Sequence, residues 1–110
     1  MFDMMNLLGK VKEVQAKMKQ AKDNLVNITA TGESGAGMVK ATVNGDRKIV
    51  KLEIDPDIIK KEDAEMMQDL IVAAINIALA NIEEKIREEM KKSTEGLLPN
   101  IPGLDLGNML

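Results

Sequence analysis

The sequence predicts an α+β fold, in which a helix is followed by a three-stranded antiparallel meander and a second, longer helix. Three patterns predict it. Apolar residues recur every three or four positions over residues 4–25 and alternate with polar ones over residues 26–54. They then fill residues 70–82 (LIVAAINIALANI), where only Asn76 and Asn81 interrupt them. A helix that is hydrophobic all round has no face for solvent and must be covered by more than one neighbour. Part of that cover is expected from a second copy of the chain, through Leu70, Ile71, Ala74, Ile75, Ala78, Leu79 and Ile82. At 110 residues the chain has room for one core, so residues 1–95 are expected to form a single α-β-β-β-α domain.

The first helix is expected over residues 3–25. Met4, Leu7, Val11, Val14, Met18, Ala21 and Leu25 form a seam of alternating three- and four-residue steps, as an amphipathic helix requires. Gly9 weakens the first turns by roughly 1 kcal/mol relative to alanine. Lys10, Lys12, Lys17, Lys19 and Lys22 fall off the seam, and a solvated face is the commoner fate of such residues.

Val26, Ile28 and Ala30 alternate with polar residues as the first strand. Residues 33–37 (ESGAG) break the pattern as a loop. The glycine-rich loop from Gly32 to Gly37 could cradle phosphate, but phosphate loops lead into a helix carrying a lysine, and this one leads into a strand. Val39, Ala41 and Val43 mark the second strand, and Val50, Leu52 and Ile54 the third, with Asn44-Gly45-Asp46 as a hairpin signal between them. Inward residues are odd-numbered in one strand and even-numbered in the next, so cross-strand partners sum to an odd number. Two-residue loops at Asn44-Gly45 and at Gly45-Asp46 both satisfy this. The first two strands are expected to pair Ala30 with Val39 and Ile28 with Ala41.

Pro56 cannot donate to a ladder and ends the sheet, opening a short turn through Ile58 and Ile59. Asp63 is the expected N-cap of the long helix, which should run to Ser93. Glu65 and Asp69 in its first turns complement the helix dipole. These carboxylates thus have a structural reason, and no partner for acid–base chemistry stands beside them. Ile86 and Met90 lie four apart in the polar second half, where they can meet the seam of the first helix. Residues 96–110 (GLLPNIPGLDLGNML) form an apolar tail interrupted by prolines and glycines.

Composition excludes several functions. With no cysteine or histidine, the usual zinc sites, disulfides, thiol nucleophiles and imidazole bases are ruled out. Neither tyrosine nor tryptophan is present, Phe2 is the one aromatic, and nine methionines help to fill an aliphatic core. An enzyme is not expected, nor is a cofactor or a metal. The N-terminus lacks the long apolar run of a signal peptide, and the thirteen-residue run over residues 70–82 falls short of the roughly 20 that cross a membrane. A cytoplasmic protein is expected. Its net charge of −3 averages two unlike regions. Residues 1–25 carry a net +2, whereas residues 55–69 carry a net −4.

The run GAGMVKATVNGDRKIVKLEIDPDII, followed by DLIVAAINIALANI, resembles the YbaB/EbfC family of small bacterial nucleoid-associated DNA-binding proteins. It is similar to that family's G-x-V-x-V-x-x-N-G strand pair, I-D-P turn and D-L-I-x-A-A-x-N helix. Leu97 to Leu104, with Pro102-Gly103, is similar to its "PG" tail. The resemblance implies an intertwined or tweezer-like homodimer with helical arms. It also implies duplex DNA binding of low or no sequence preference, in nucleoid organisation, gene regulation or recombination. Charged arm residues are the contacts it suggests: Lys10, Lys12, Lys17, Lys19 and Lys22, with Lys85, Arg87, Lys91 and Lys92.

Read from the residues alone, a DNA-binding scaffold is expected, because two copies of the lysine-rich helix could track phosphates and release counterions. Few arginines or aromatics are available to read bases. The alternative is a protein-interaction adaptor using Met-rich seams and the apolar tail, with little intrinsic DNA affinity.

Overall fold

The structure, a computed structural model, describes residues 4–94. The tail over residues 96–110, Phe2 and Asp3 lie outside them. The order of elements is α1 (Met4–Asn24), β1 (Thr29–Ser34), β2 (Val39–Asn44), β3 (Ile49–Ile54) and α2 (Ala64–Thr94). This is the predicted α+β fold, with both helices starting within one residue of expectation. The chain divides into two units, one of residues 25–86 and one of α1 with the end of α2 from Arg87.

In the larger unit the sheet has the order β1-β2-β3, antiparallel throughout. Its register differs from the expected one. Ala30 pairs with Val43, Gly32 with Ala41 and Ser34 with Val39, a slip of four residues that keeps the parity. The cause lies upstream. Leu25–Asn27 form a 3-10 turn rather than strand. The backbone N–H of Gly45 donates to the carbonyls of both Leu25 (3.0 Å) and Ile28 (2.9 Å), which anchors that turn to the tip of the second hairpin. A Cβ at Gly45 would collide with the Leu25 backbone. β1 therefore starts late and runs through Gly32, up to a tight turn in which Gly35, Ala36 and Gly37 all have positive φ.

The β2–β3 connection is one residue longer than expected. Asn44 N–H donates to Lys48 O and Arg47 N–H to Asn44 O, both at 2.9 Å, enclosing Gly45, Asp46 and Arg47. Arg47 takes the left-handed conformation (φ 61°), as the last residue of a three-residue hairpin loop does. The buried Asn44 side chain accepts from the N–H groups of Asp46 (2.9 Å) and Lys48 (3.2 Å). A bulge follows: Val43 pairs with Ile49 but Thr42 with Lys51, leaving Val50 as the extra residue.

The Arg47 guanidinium forms a two-pronged contact with the Glu83 carboxylate on α2, one prong at 3.0 Å. That hydrogen bond holds Arg47 above its ordinary pKa, so it stays charged. The pair is half-exposed, and such pairs are worth about 0–1 kcal/mol. A non-glycine residue in the left-handed region costs a similar amount, roughly 1–2 kcal/mol. Arg47→Gly is therefore expected to leave stability within about 1 kcal/mol of the parent in urea denaturation. A loss of several kcal/mol would show that the contact holds the hairpin on α2.

At the sheet's end Asp55 caps the 3-10 turn Pro56–Ile58, its Oδ1 accepting from Asp57 N–H at 2.9 Å. A second turn, Lys61–Asp63, runs directly into α2, so Asp63 closes a 3-10 turn where an extended cap was expected. The helix then runs antiparallel to β1 and is bonded to it at three levels. Ser34 Oγ donates to Leu70 O (2.5 Å), Asn81 Nδ2 to Thr31 O (2.8 Å) and Lys85 Nζ to Thr29 O (2.7 Å). Between these bonds Gly32 lies so close to α2 that an added Cβ would strike the backbone of Ala74 and Ala78 and come within 2.9 Å of Ile77 Cβ.

Ala30, Val39, Ala41, Val43, Ala74, Ala78 and Ile82 form the core of this unit. Cover stops short of β3. Ile49 and Leu52 lie opposite the fully buried Val43 and Ala41, yet are 51% and 41% exposed. By length and mean hydropathy alone Lys61–Ser93 also meets the requirements of a membrane span, beyond the thirteen-residue run read from sequence. Only 17% of its most apolar window is buried within the chain.

Candidate nucleic-acid interface

The smaller unit is built on the α1 seam. Val14 is buried, Met18 and Ala21 are half-buried, and Met90 from α2 is almost wholly enclosed. Burying this stripe leaves the off-seam positions to solvent. Lys10, Lys12, Lys17, Lys19 and Lys22 are all exposed, and none of the five is ion-paired among the described residues. Arg87, Lys91 and Lys92 are exposed on the last turns of α2.

Two of these cations share a groove of about 620 Å³, lined by Lys17, Gln20, Ala21, Asn24, Glu89, Lys92 and Ser93. Lys17, Gln20 and Asn24 are spaced three and four apart and so lie on one face of α1. Ser93 Oγ donates to Met90 O (2.8 Å), leaving its lone pairs toward other donors. Ammonium and amide N–H groups suit phosphate oxygens, and a groove open to water can take a continuous backbone without enclosing it. Glu89 adds an opposing charge that discourages tight retention of a free anion. Gln20, Asn24 and Ser93 were not among the expected contacts. Their signal in the sequence was the helical spacing from Lys17, since neutral polar residues carry no charge pattern.

Lys85 stands apart from the other expected contacts. It belongs to the larger unit, where its ammonium is engaged with the Thr29 carbonyl of β1. Its place there is explained by tethering helix to sheet. The expected subunit-interface residues also divide. Ala74, Ala78 and Ile82 are already fully buried within one chain, the two alanines because Gly32 brings the β1 backbone against them. These three have no surface left for a second copy. Leu70, Ile71, Ile75 and Leu79 keep partial exposure, while Val72 and Ile77 beside them are 57% and 44% exposed. Among the described residues no group of three or more carboxylates could hold a metal ion; in the acidic stretch over residues 55–69, Asp55 caps a 3-10 turn, Asp57, Glu62 and Asp63 lie within such turns, and Glu65 and Asp69 belong to α2.

The profile of the YbaB/EbfC DNA-binding family matches residues 1–97. The chain belongs to this family. A nucleoid-associated protein of Thermoanaerobacter pseudethanolicus is 43% identical over 103 residues, covering 94% of this chain and 91% of the relative. Another, from Bartonella bacilliformis, is 43% identical over 106 residues, covering 96% and 97%. Among solved structures, an uncharacterised protein of Helicobacter pylori shares the fold with a TM-score of 0.67 and 28% identity, covering 87% of this chain and all of that one. The YbaB/EbfC family is defined by DNA binding and not by a reaction, in keeping with a site of ammonium and amide groups.

Proposed function

We propose that this member of the YbaB/EbfC family is a nucleoid-associated homodimer in the cytoplasm that holds duplex DNA mainly by its phosphates. The observation that carries this reading is the set of five exposed lysines on α1, with no ion pair among the described residues, one of which, Lys17, shares a groove with Lys92. Two chains present ten such lysines, enough to displace several condensed counterions from a duplex. Sequence preference should be low, since these groups position a backbone and do not read base edges. The overall charge of −3 weakens long-range attraction and keeps affinity modest.

The homodimer is supported by what the larger unit leaves uncovered. Ile49 and Leu52 on β3, with Val72 and Ile77 on α2, give it apolar surface beyond the scattered exposure of an ordinary monomer. The interface would thus draw on β3 as well as on Leu70, Ile71, Ile75 and Leu79. A role in nucleoid organisation, gene regulation or recombination fits a protein that grips DNA without choosing its sequence.

Fluorescence anisotropy of a labelled random-sequence duplex, titrated with protein at several salt concentrations, tests the reading. Binding should weaken steeply, with log K falling against log salt by roughly 0.9 for each phosphate neutralised. A flat salt dependence would remove the lysine mechanism. No binding at low salt would leave the adaptor reading, which the exposed Met4, Met5, Leu7 and Leu8 of α1 favour.

A further inference from the structure

Asn44-Gly45 is the one place in the chain where an asparagine precedes glycine; every other asparagine precedes leucine, isoleucine or methionine. The pair is chemically labile. The backbone nitrogen that follows an asparagine can attack the side-chain carbonyl carbon, and glycine, having no Cβ, leaves the approach open. Yet the fold demands both residues. Asn44 is only 6% exposed, and its side chain holds the hairpin loop by accepting from the N–H groups of Asp46 (2.9 Å) and Lys48 (3.2 Å). Position 45 requires glycine, because a Cβ there would collide with the Leu25 backbone.

The two reacting groups are held in opposite states. Asn44 Oδ1 faces two N–H donors, which polarise its carbonyl and stabilise the oxyanion that forms there when the nitrogen adds. The electrophile is activated, but the nucleophile is guarded. To attack, the Gly45 nitrogen must lose its proton, and that proton is shared between the carbonyls of Leu25 (3.0 Å) and Ile28 (2.9 Å). A nitrogen stripped of it would turn its lone pair on two carbonyl oxygens, so bonding to the neutral form opposes deprotonation. Leu25 O also accepts from Ile28 N–H (3.0 Å), which closes the guarding turn on itself.

We propose that Asn44 is a deamidation site kept closed by the 3-10 turn over Leu25–Asn27, and that local opening of this turn starts the reaction. Gly45 N then bonds to Asn44 Cγ, the Cγ–Nδ2 bond breaks, and ammonia leaves with the proton, giving a succinimide. Water opens that ring at one carbonyl or the other, to aspartate or isoaspartate. The isoaspartyl form carries the main chain through the former side chain and so lengthens it by a methylene. It does so inside the loop that the Asn44–Lys48 and Arg47–Asn44 backbone bonds close, so a converted chain cannot re-form this hairpin.

The test incubates the full-length protein in mildly alkaline buffer and follows conversion of Asn44 by peptide mass spectrometry. The folded parent should convert at least about tenfold more slowly than the same chain in concentrated urea. Equal rates would overturn the proposal. In the folded parent the rate should also rise through sub-denaturing urea with a slope shallower than that of global unfolding, as local opening exposes less surface. The full global slope would overturn it. Loosening the guard by Leu25→Ala should speed conversion by about fivefold or more, whereas Ile58→Ala, a buried truncation in the separate turn Pro56–Ile58, should stay within about twofold of the parent. Circular dichroism checks that both variants are folded, and equal acceleration in the two would overturn the local guard.

Discussion

Gly32→Val is expected to destabilise the protein by roughly 3 kcal/mol or more, a large share of the 5–15 kcal/mol or so that holds an ordinary domain folded. The cause is a contact between backbones. Any Cβ at position 32 meets the main chain of Ala74 and Ala78, which cannot rotate away as a side chain can. To admit it, α2 must lift from the sheet, straining the Ser34–Leu70, Asn81–Thr31 and Lys85–Thr29 bonds together. Gly9→Ala is the matched control. An added methyl there meets open space, and removing glycine from a helix should stabilise by about 0.5–1 kcal/mol. Urea denaturation of the two variants should move in opposite directions. Equal, small shifts would mean that helix and sheet are not in backbone contact at Gly32.

Reversing Lys12, Lys17 and Lys19 to glutamate should abolish DNA binding under conditions where the parent binds. In a dimer this removes six cations and adds six anions, and the salt slope should shrink by about five. Affinity at low salt should fall by at least about a hundredfold. All three positions are exposed, so circular dichroism and thermal stability should stay near the parent's. Sedimentation at the mass of two chains, in parent and variant alike, ties the loss to charge. A parent that sediments as one chain would halve the available lysines and remove the dimer from the proposal. Retained DNA affinity in the variant would place the contacts elsewhere.

The helices were the most legible part of the sequence. The seam from Met4 to Leu25 and the apolar run over residues 70–82 repeat for several turns, so each carries many independent signals. β1 was harder, because period-two reading rewards Val26 and Ile28 and treats Gly32 as a loop residue. In the fold Gly32 is a strand residue whose missing side chain admits α2, and the partner that explains it lies far along the chain. Arg47 was hidden for another reason: nothing in an arginine announces a positive φ. Ala74 and Ala78 looked suited to a subunit interface because they lie in a helix segment that is apolar on nearly all sides. Their cover comes from their own sheet, which Gly32 brings against them. At the candidate site, the α1 lysines follow directly from a helix with one buried seam. The local bond made by Lys85 does not, since its acceptor is a backbone carbonyl without a sequence signature.

The bonds that fasten α2 to β1 have a consequence for how the chain acquires its structure. They join residues 36, 50 and 56 positions apart, whereas the two hairpins close through short turns between neighbours. Loop-closure entropy favours the nearby pairs, so the meander can zip up while α2 is still undocked. Until that helix arrives, Ala30, Val39, Ala41 and Val43 are wet on the face it will cover. Late docking of α2 is thus the step that turns a marginal three-stranded sheet into a protein, and slow unfolding should begin with its release.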